Sequence, residues 1–434
     1  MDAARHQAIA LQLPQRLRQH LLADAAHPLA ELTEPHFIPV TEYIDDEKCP
    51  FVGDAVEHRV DERRLCGPGT RLGNGCGHGF LAVRMALSGA FFPLDTDTTY
   101  VRNMTTHQRA APRRLGSGPH VFPLALGCMG MSGTYGPTDE RENIATIHAA
   151  LDAGITLIDT GDYYAAGHNE LLIGRALKDR PGRALLSVKF GALRAPDGTW
   201  LGFDLRPVAV KSALAYSLTR LRVDHIDIYR PGRTDPAVPI EETIGAIHDL
   251  IAAGYVRAVG LSEMGAATIR RAHAVHPLSD LQIEYSLISR GPEAKIFPAL
   301  AELGVGVTAY GVLSRGLLSG SRPSGPGDLR GHLPRFGSEN FERNRRVVEA
   351  LNAVARAKGV TASQLAIAWV LAKGPRIVPV VGARTRAQLS ESLGALDVTL
   401  SAEDIAQIEA AVPPEAVAGT RYGADQMTVL DSER

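Results

Sequence analysis

Residues 225–261 read HIDIYRPGRTDPAVPIEETIGAIHDLIAAGYVRAVGL. An apolar, β-branched run (His225–Arg230) gives way to a polar loop. An amphipathic stretch (Ile240–Ala253) follows, then Gly254 as a helix stop, then a second apolar run (Val256–Leu261). This is a strand–helix–strand unit, and the pattern recurs on both sides. Further strand candidates are Leu124–Cys128, Thr156–Asp159, Ala184–Lys189, Leu281–Tyr285, Gly306–Tyr310 and Ile377–Val380, with helical stretches between them. Helix starts are signalled at Thr138-Asp139-Glu140 and, for a last helix, at Ser401-Ala402-Glu403. Eight such strands, spaced by about 25 to 40 residues and apolar along most of their length, predict a (β/α)8 TIM barrel. A doubly wound open sheet would place a glycine-rich phosphate fingerprint after its first strand. Met129-Gly130-Met131 does not fit one.

Working outward, the chain divides near residue 104. Residues 104–434 carry the barrel pattern. Residues 1–103 carry net charge −4, clustered glycines and poor periodicity beyond a helix at Pro14–Leu22. They are expected to be an irregular, poorly structured or spurious N-terminal extension, dispensable and without assigned function. Cys49, Cys66, Cys76 and His78 lack paired C-x-x-C spacing, so no metal site is expected. The whole chain of 434 residues has net charge −2 and 45% hydrophobic residues. That excludes a disordered chain and gives no field to attract nucleic acid or an anionic membrane. No apolar stretch suits a secretion signal or a membrane span, and a cytoplasmic location is expected.

Catalytic groups of such barrels sit where strands end. One strand runs into Asp159-Thr160-Gly161-Asp162-Tyr163-Tyr164, the next into Lys189-Phe190-Gly191. Asp159 and Lys189 suit a buried ion pair. Tyr164 lies in reach of the ammonium, which would favour phenolate and lower the phenol pKa, as a proton donor to an alkoxide needs. The same residues also suit a structural ion pair with a rim aromatic.

The stretch Leu157 to Tyr164, followed by Gly167-His168-Asn169-Glu170, resembles the signature of the aldo-keto reductase family. So do Val188-Lys189-Phe190-Gly191, Gly260-Leu261-Ser262-Glu263, Gln282 to Leu287, Ala309 to Leu313 with Arg315 to Gly320, and Val380 to Arg384. The resemblance spans roughly residues 113–411. It implies a barrel oxidoreductase using a nicotinamide cofactor, usually NADPH, on small carbonyl substrates. An opening β-hairpin is also implied, and Arg113–Pro123, turning at Gly116-Ser117-Gly118, is similar to it. Carried over, Tyr164 would be the general acid, with Lys189 and Asp159 lowering its pKa. Ser262 and Gln282 would hold the nicotinamide carboxamide, and Tyr310 would stack on its ring. The loop from Gly311 would cover the pyrophosphate, with Leu313, Ser314 and Gly316 offering backbone donors. Gly382, Arg384, Gln388 and Glu391 would surround the adenosine, with Arg384 suited to a 2′-phosphate and hence to NADP.

Three departures stand out. Gly232 falls where the family has a catalytic His. Glu263 and Ser392 stand where it often has Asn. The alternative reading is a cofactor-binding, redox-sensing or regulatory subunit with little turnover.

Overall fold

The computed structural model describes residues 110–434. The helix expected at Pro14–Leu22 and the Cys49, Cys66, Cys76 and His78 group lie outside them, as does the expected extension. A short hairpin comes first, β1 (Arg113–Arg114) and β2 (His120–Val121). Eight parallel strands then close a barrel. In spatial order they are β3 (Ala125–Gly127), β4 (Leu157–Gly161), β5 (Leu185–Phe190), β8 (Ile226–Pro231), β9 (Val256–Ser262), β10 (Leu278–Glu284), β11 (Gly306–Tyr310) and β12 (Ile377–Gly382), which pairs back to β3. The predicted (β/α)8 architecture is what forms. One element was not expected: a second hairpin, β6 (Ala192–Arg194) with β7 (Trp200–Phe203), rises after β5. Trp200 opens β7 of this hairpin. It lies edge-on to Phe203 under the Arg194 guanidinium.

Local chemistry explains the boundaries. Helix α1 (Glu140–Asp152) starts where the Asp139 carboxylate accepts the Arg141 and Glu142 amides at 2.7 and 3.1 Å. The last long helix starts at the Ser401–Asp404 capping box. Glycines in the left-handed region, such as Gly254 (φ 86°), end helices without a Cβ penalty.

Most apolar side chains lie between barrel and helices. A smaller cluster fills the barrel's lower interior: Leu115 and Val121 from the hairpin meet Ala125, Leu157, Ile228, Ala258 and Val378. Leu115 is pressed against Gly306, and Gly116 (φ 46°) against the Leu278 and Ser279 carbonyls, all at strand starts. The hairpin therefore plugs the N-terminal end, leaving the C-terminal end for a site. Side chains alternate along a strand. Two residues above the apolar layer come the inward polar groups Asp159, Ser187, Arg230, Asp280 and Thr308, all buried. Two further up are Lys189, Gly232, Ser262, Gln282 and Tyr310. Among the described residues no helix is long and apolar enough to cross a membrane.

Candidate active site

The predicted ion pair forms. Lys189 Nζ donates to Asp159 Oδ1 at 2.6 Å and to the Thr160 carbonyl at 2.9 Å, and both side chains are buried. The other carboxylate oxygen accepts Ser187 Oγ at 2.8 Å and Gln282 Nε2 at 2.7 Å. Behind it lies a layer that the sequence reading missed. Arg230, with no solvent exposure, donates to Ser187 at 2.9 Å and to Asp280 at 2.7 Å. Thr308 also donates to Asp280. Gly260 makes this possible, since a Cβ there would lie 3.0 Å from Arg230 Cζ. A hydrogen-bonded chain thus runs from Asp280 through Arg230 and Ser187 to Asp159 and fixes the carboxylate that holds Lys189.

Tyr164 stands in the loop after β4, its ring centroid 5.1 Å from Lys189 Nζ. Burial pushes the Tyr164 phenol well above its ordinary value, with Tyr163 and the Asp159 carboxylate adding to the rise. The Lys189 ammonium beside the ring is itself held at close range by Asp159. Burial likewise lowers the Lys189 value, against the pull of Asp159. Tyr164 therefore keeps its proton.

Across the mouth, Tyr310 Oη donates to Glu263 Oε1 at 2.8 Å and shares a hydrogen bond with Tyr422 Oη at 2.8 Å. Glu263 takes a left-handed conformation (φ 54°), rare for a non-glycine, and is fully buried. Arg421 holds it with bonds of 2.8 and 2.5 Å, and Ser432 adds another at 2.6 Å. Burial would raise the Glu263 pKa, but these donors overcome it and bring it down to about 2. Where Asn would bring a neutral amide, Glu263 brings a charge, matched by Arg421. Asp431 accepts the Gly265 amide at 2.7 Å, so the segment after Ala418 is strapped over this side of the barrel. No periodicity links Arg421 to Glu263, and the sequence reading missed it.

The remaining candidates fall as follows. Ser262 lies 3.4 Å from Arg233 Nη1. Gly311 (φ 65°) packs on Glu284. The backbone donors expected of the following loop are partly committed: the Ser314 amide binds Gly311 O at 2.7 Å and the Gly316 amide binds Leu313 O at 2.9 Å. Arg384 Nη1 rests on the Tyr135 and Pro137 carbonyls at 3.2 and 3.3 Å, and the Gln388 carbonyl oxygen accepts its amide at 2.8 Å. Gly382 is open, Glu391 is half-buried nearby, and Ser392 turns back onto the Gln388 carbonyl. His168 is a rim residue bonded to Ser132 at 3.0 Å.

The Aldo/keto reductase family model matches residues 123–413. The chain belongs to the aldo-keto reductase family. The probable aldo-keto reductase 1 of Glycine max is 41% identical over 327 residues, 73% of this chain and 93% of that protein. Among solved structures, a glycerol dehydrogenase from Gluconobacter oxydans is 31% identical with a TM-score of 0.63, covering 70% of this chain and 97% of its own. An aldo-keto reductase from Bacillus halodurans, solved in its holo form, is 30% identical with a TM-score of 0.60 and the same coverage. As an aldo-keto reductase, the chain is an oxidoreductase of small carbonyl compounds that uses a nicotinamide cofactor. The donor set fits a dinucleotide. Glu284 takes Arg315 at 3.1 Å and Arg335 at 3.2 Å, and Glu263 takes Arg421, while Arg233 has no carboxylate within ion-pair distance among the described residues. Arg421 also pairs with Glu433 at 2.7 Å, so four guanidiniums face three carboxylates and a net positive charge is left for a pyrophosphate.

Proposed function

We propose that this aldo-keto reductase reduces aldehydes or ketones to alcohols with NADPH, Tyr164 being the general acid. The observation that carries the reading is the buried Lys189–Asp159 pair with the ammonium 5.1 Å from the centroid of the Tyr164 ring. NADPH, when bound, supplies the hydride. The carbonyl oxygen takes the phenolic proton as charge develops on it, and the Lys189 ammonium beside the phenol eases that transfer. The upward-shifted phenol holds its proton across the neutral range. Once a substrate oxygen bonds to it, the transfer becomes easier as negative charge gathers there.

Ser262 and Gln282 would hold the nicotinamide carboxamide, with Gln282 exchanging its bond to Asp159 or sharing it. Tyr310 would cover one face of the ring. Arg384, which rests on neutral carbonyls, keeps its full charge for a 2′-phosphate, with Gln388 and Glu391 beside the adenosine. That supports NADP over NAD. Residues 1–103 would contribute nothing to turnover, and a cytoplasmic setting would suit the cofactor. A regulatory subunit with little turnover is not favoured, because a binding protein has no use for Asp159, Lys189 and Tyr164 together.

A carbonyl panel assayed with NADPH and NADH tests this. Tyr164→Phe should lose at least about 100-fold in kcat with cofactor affinity kept, and Arg384→Ala should weaken NADPH more than NADH. A Tyr164→Phe protein within a few fold of the parent would end the proposal.

A further inference from the structure

We propose that Tyr163 is a second substrate-oxygen donor: its hydroxyl, lodged beside Gly232, hydrogen-bonds the carbonyl oxygen together with Tyr164. The inference rests on the carbonyl-reduction reading and names a residue for the place left by the missing histidine.

Gly232 does not border an empty space. A Cβ built on it would lie 3.4 Å from Tyr163 Oη, 3.5 Å from Tyr163 Cε1 and 3.3 Å from the Phe190 carbonyl. The Gly232 amide is tied to that carbonyl at 2.8 Å, so the backbone is fixed and the volume off its α-carbon belongs to the hydroxyl end of Tyr163. A larger side chain at 232 would displace the phenol. Glycine at 232 and tyrosine at 163 are therefore complementary choices, each making room for or filling the other.

Neighbouring residues in a strand point to opposite faces. Tyr163 and Tyr164 escape that rule because the chain has left the extended region, Tyr163 standing at φ −88°, ψ −2°. Their ring centroids are 5.0 Å apart at 82°. A Cβ on Gly161 would meet Cε1 of both rings, at 3.3 Å for Tyr164 and 3.4 Å for Tyr163, so the hydroxyl-bearing edges approach one point at the strand end.

Neither phenol hydroxyl makes a hydrogen bond to a described residue. Both residues are half-buried at the barrel mouth, so a substrate oxygen can reach them. A carbonyl oxygen has two lone pairs and accepts two donors. Two adjacent, unpartnered phenols match that valence, as a tyrosine with a histidine otherwise would. The next residue strengthens the donor: burial raises the Tyr163 pKa, while the Arg233 guanidinium opposes the rise. The other groups acting on Tyr163 are Asp162, Tyr422 and Asp159, which add to the rise. In the reaction, Tyr163 keeps its proton and lends a hydrogen bond, while Tyr164 transfers its own.

The test uses the full chain, NADPH and 4-nitrobenzaldehyde. Tyr163→Phe, which keeps the ring and its packing, should lower kcat about 10- to 100-fold and leave the NADPH Kd unchanged. Gly232→His added to Tyr163→Ala, which removes the ring as well as the hydroxyl, should recover part of the loss, because the imidazole then has both room and a vacant role. Gly232→His alone should not raise turnover. A second readout needs no turnover: the carbonyl 13C resonance of the labelled aldehyde, bound to the NADP⁺-loaded protein, should move toward its free value in Tyr163→Phe. A change of packing alone would not move it. If the parent protein reduces no aldehyde of the panel, the carbonyl-reduction reading and this inference fall together. If the parent turns over, and Tyr163→Phe matches it within twofold with an unmoved resonance, only the inference falls.

Discussion

Replacing Lys189 by Met separates the two things the ion pair does. In the native fold the ammonium is bound to Asp159 at 2.6 Å and to the Thr160 carbonyl at 2.9 Å, out of water. Removing one partner of a buried pair costs about 3–5 kcal/mol, since the other charge is left unpaired. Asp159 would still accept Ser187 and Gln282, and bonds to a charged group contribute about 1.5–3 kcal/mol each. The loss therefore belongs at the low end, about 3 kcal/mol. Adding Asp159→Asn removes the stranded charge yet keeps an acceptor for Ser187 or Gln282. The double variant should be about 2 kcal/mol more stable than the sum of the single losses predicts. Turnover should behave otherwise: without the ammonium beside Tyr164, Lys189→Met and the double variant should both fall at least about 100-fold. Urea unfolding followed by tryptophan fluorescence measures the first quantity, and steady-state reduction of a carbonyl with NADPH the second. Additive losses of stability would refute the electrostatic argument. A double variant that regained turnover would refute the role given to Lys189.

Two further outcomes follow from buried charge. Arg230→Met strands Asp280, which retains Ser279 at 2.6 Å and Thr308, so about 3 kcal/mol should be lost, and Asp280→Leu on top should restore most of it in urea unfolding. Asp162 is pushed up to about 7 by burial and by Glu170, against Arg220, from an ordinary 3.8. Its folded pKa lies above its unfolded one, so its contribution is full below about pH 4 and is lost as pH rises through about 7. At about 1.36 kcal/mol per pH unit this amounts to about 4 kcal/mol. Stability measured from pH 5 to 8 should therefore decline, and Asp162→Asn should flatten the decline.

The barrel was legible because each strand is an apolar run between amphipathic helices, and the strand ends then point to the site. Asp159 and Lys189 were legible for a related reason: a charge closing an apolar run needs a partner. Packing is what a linear pattern does not carry. The desolvation of the Tyr164 phenol and the carboxylate that holds the Lys189 ammonium are both products of packing. The bonds of the Ser314 and Gly316 amides to Gly311 and Leu313 are turn contacts that no strand or helix pattern shows. Arg230 closes the run His225–Arg230 and Asp280 stands just before the run Leu281–Tyr285, and nothing in either pattern announces that the two meet inside the barrel. Arg421 reaches Glu263 across 158 positions, a contact no local pattern announces.

The plug at the bottom of the barrel bears on how the chain is made. Arg113, near the start of the described residues, hangs on the carbonyls of Leu371, Gly374 and Ile377, which lie 258 to 264 positions later. β3 likewise waits for β12 as its second neighbour. On the ribosome the first hairpin has nothing to seal until almost the whole protein has emerged, and β3 remains an open sheet edge in the meantime. The growing barrel is thus a natural client for chaperones, and its closure is a late event of synthesis.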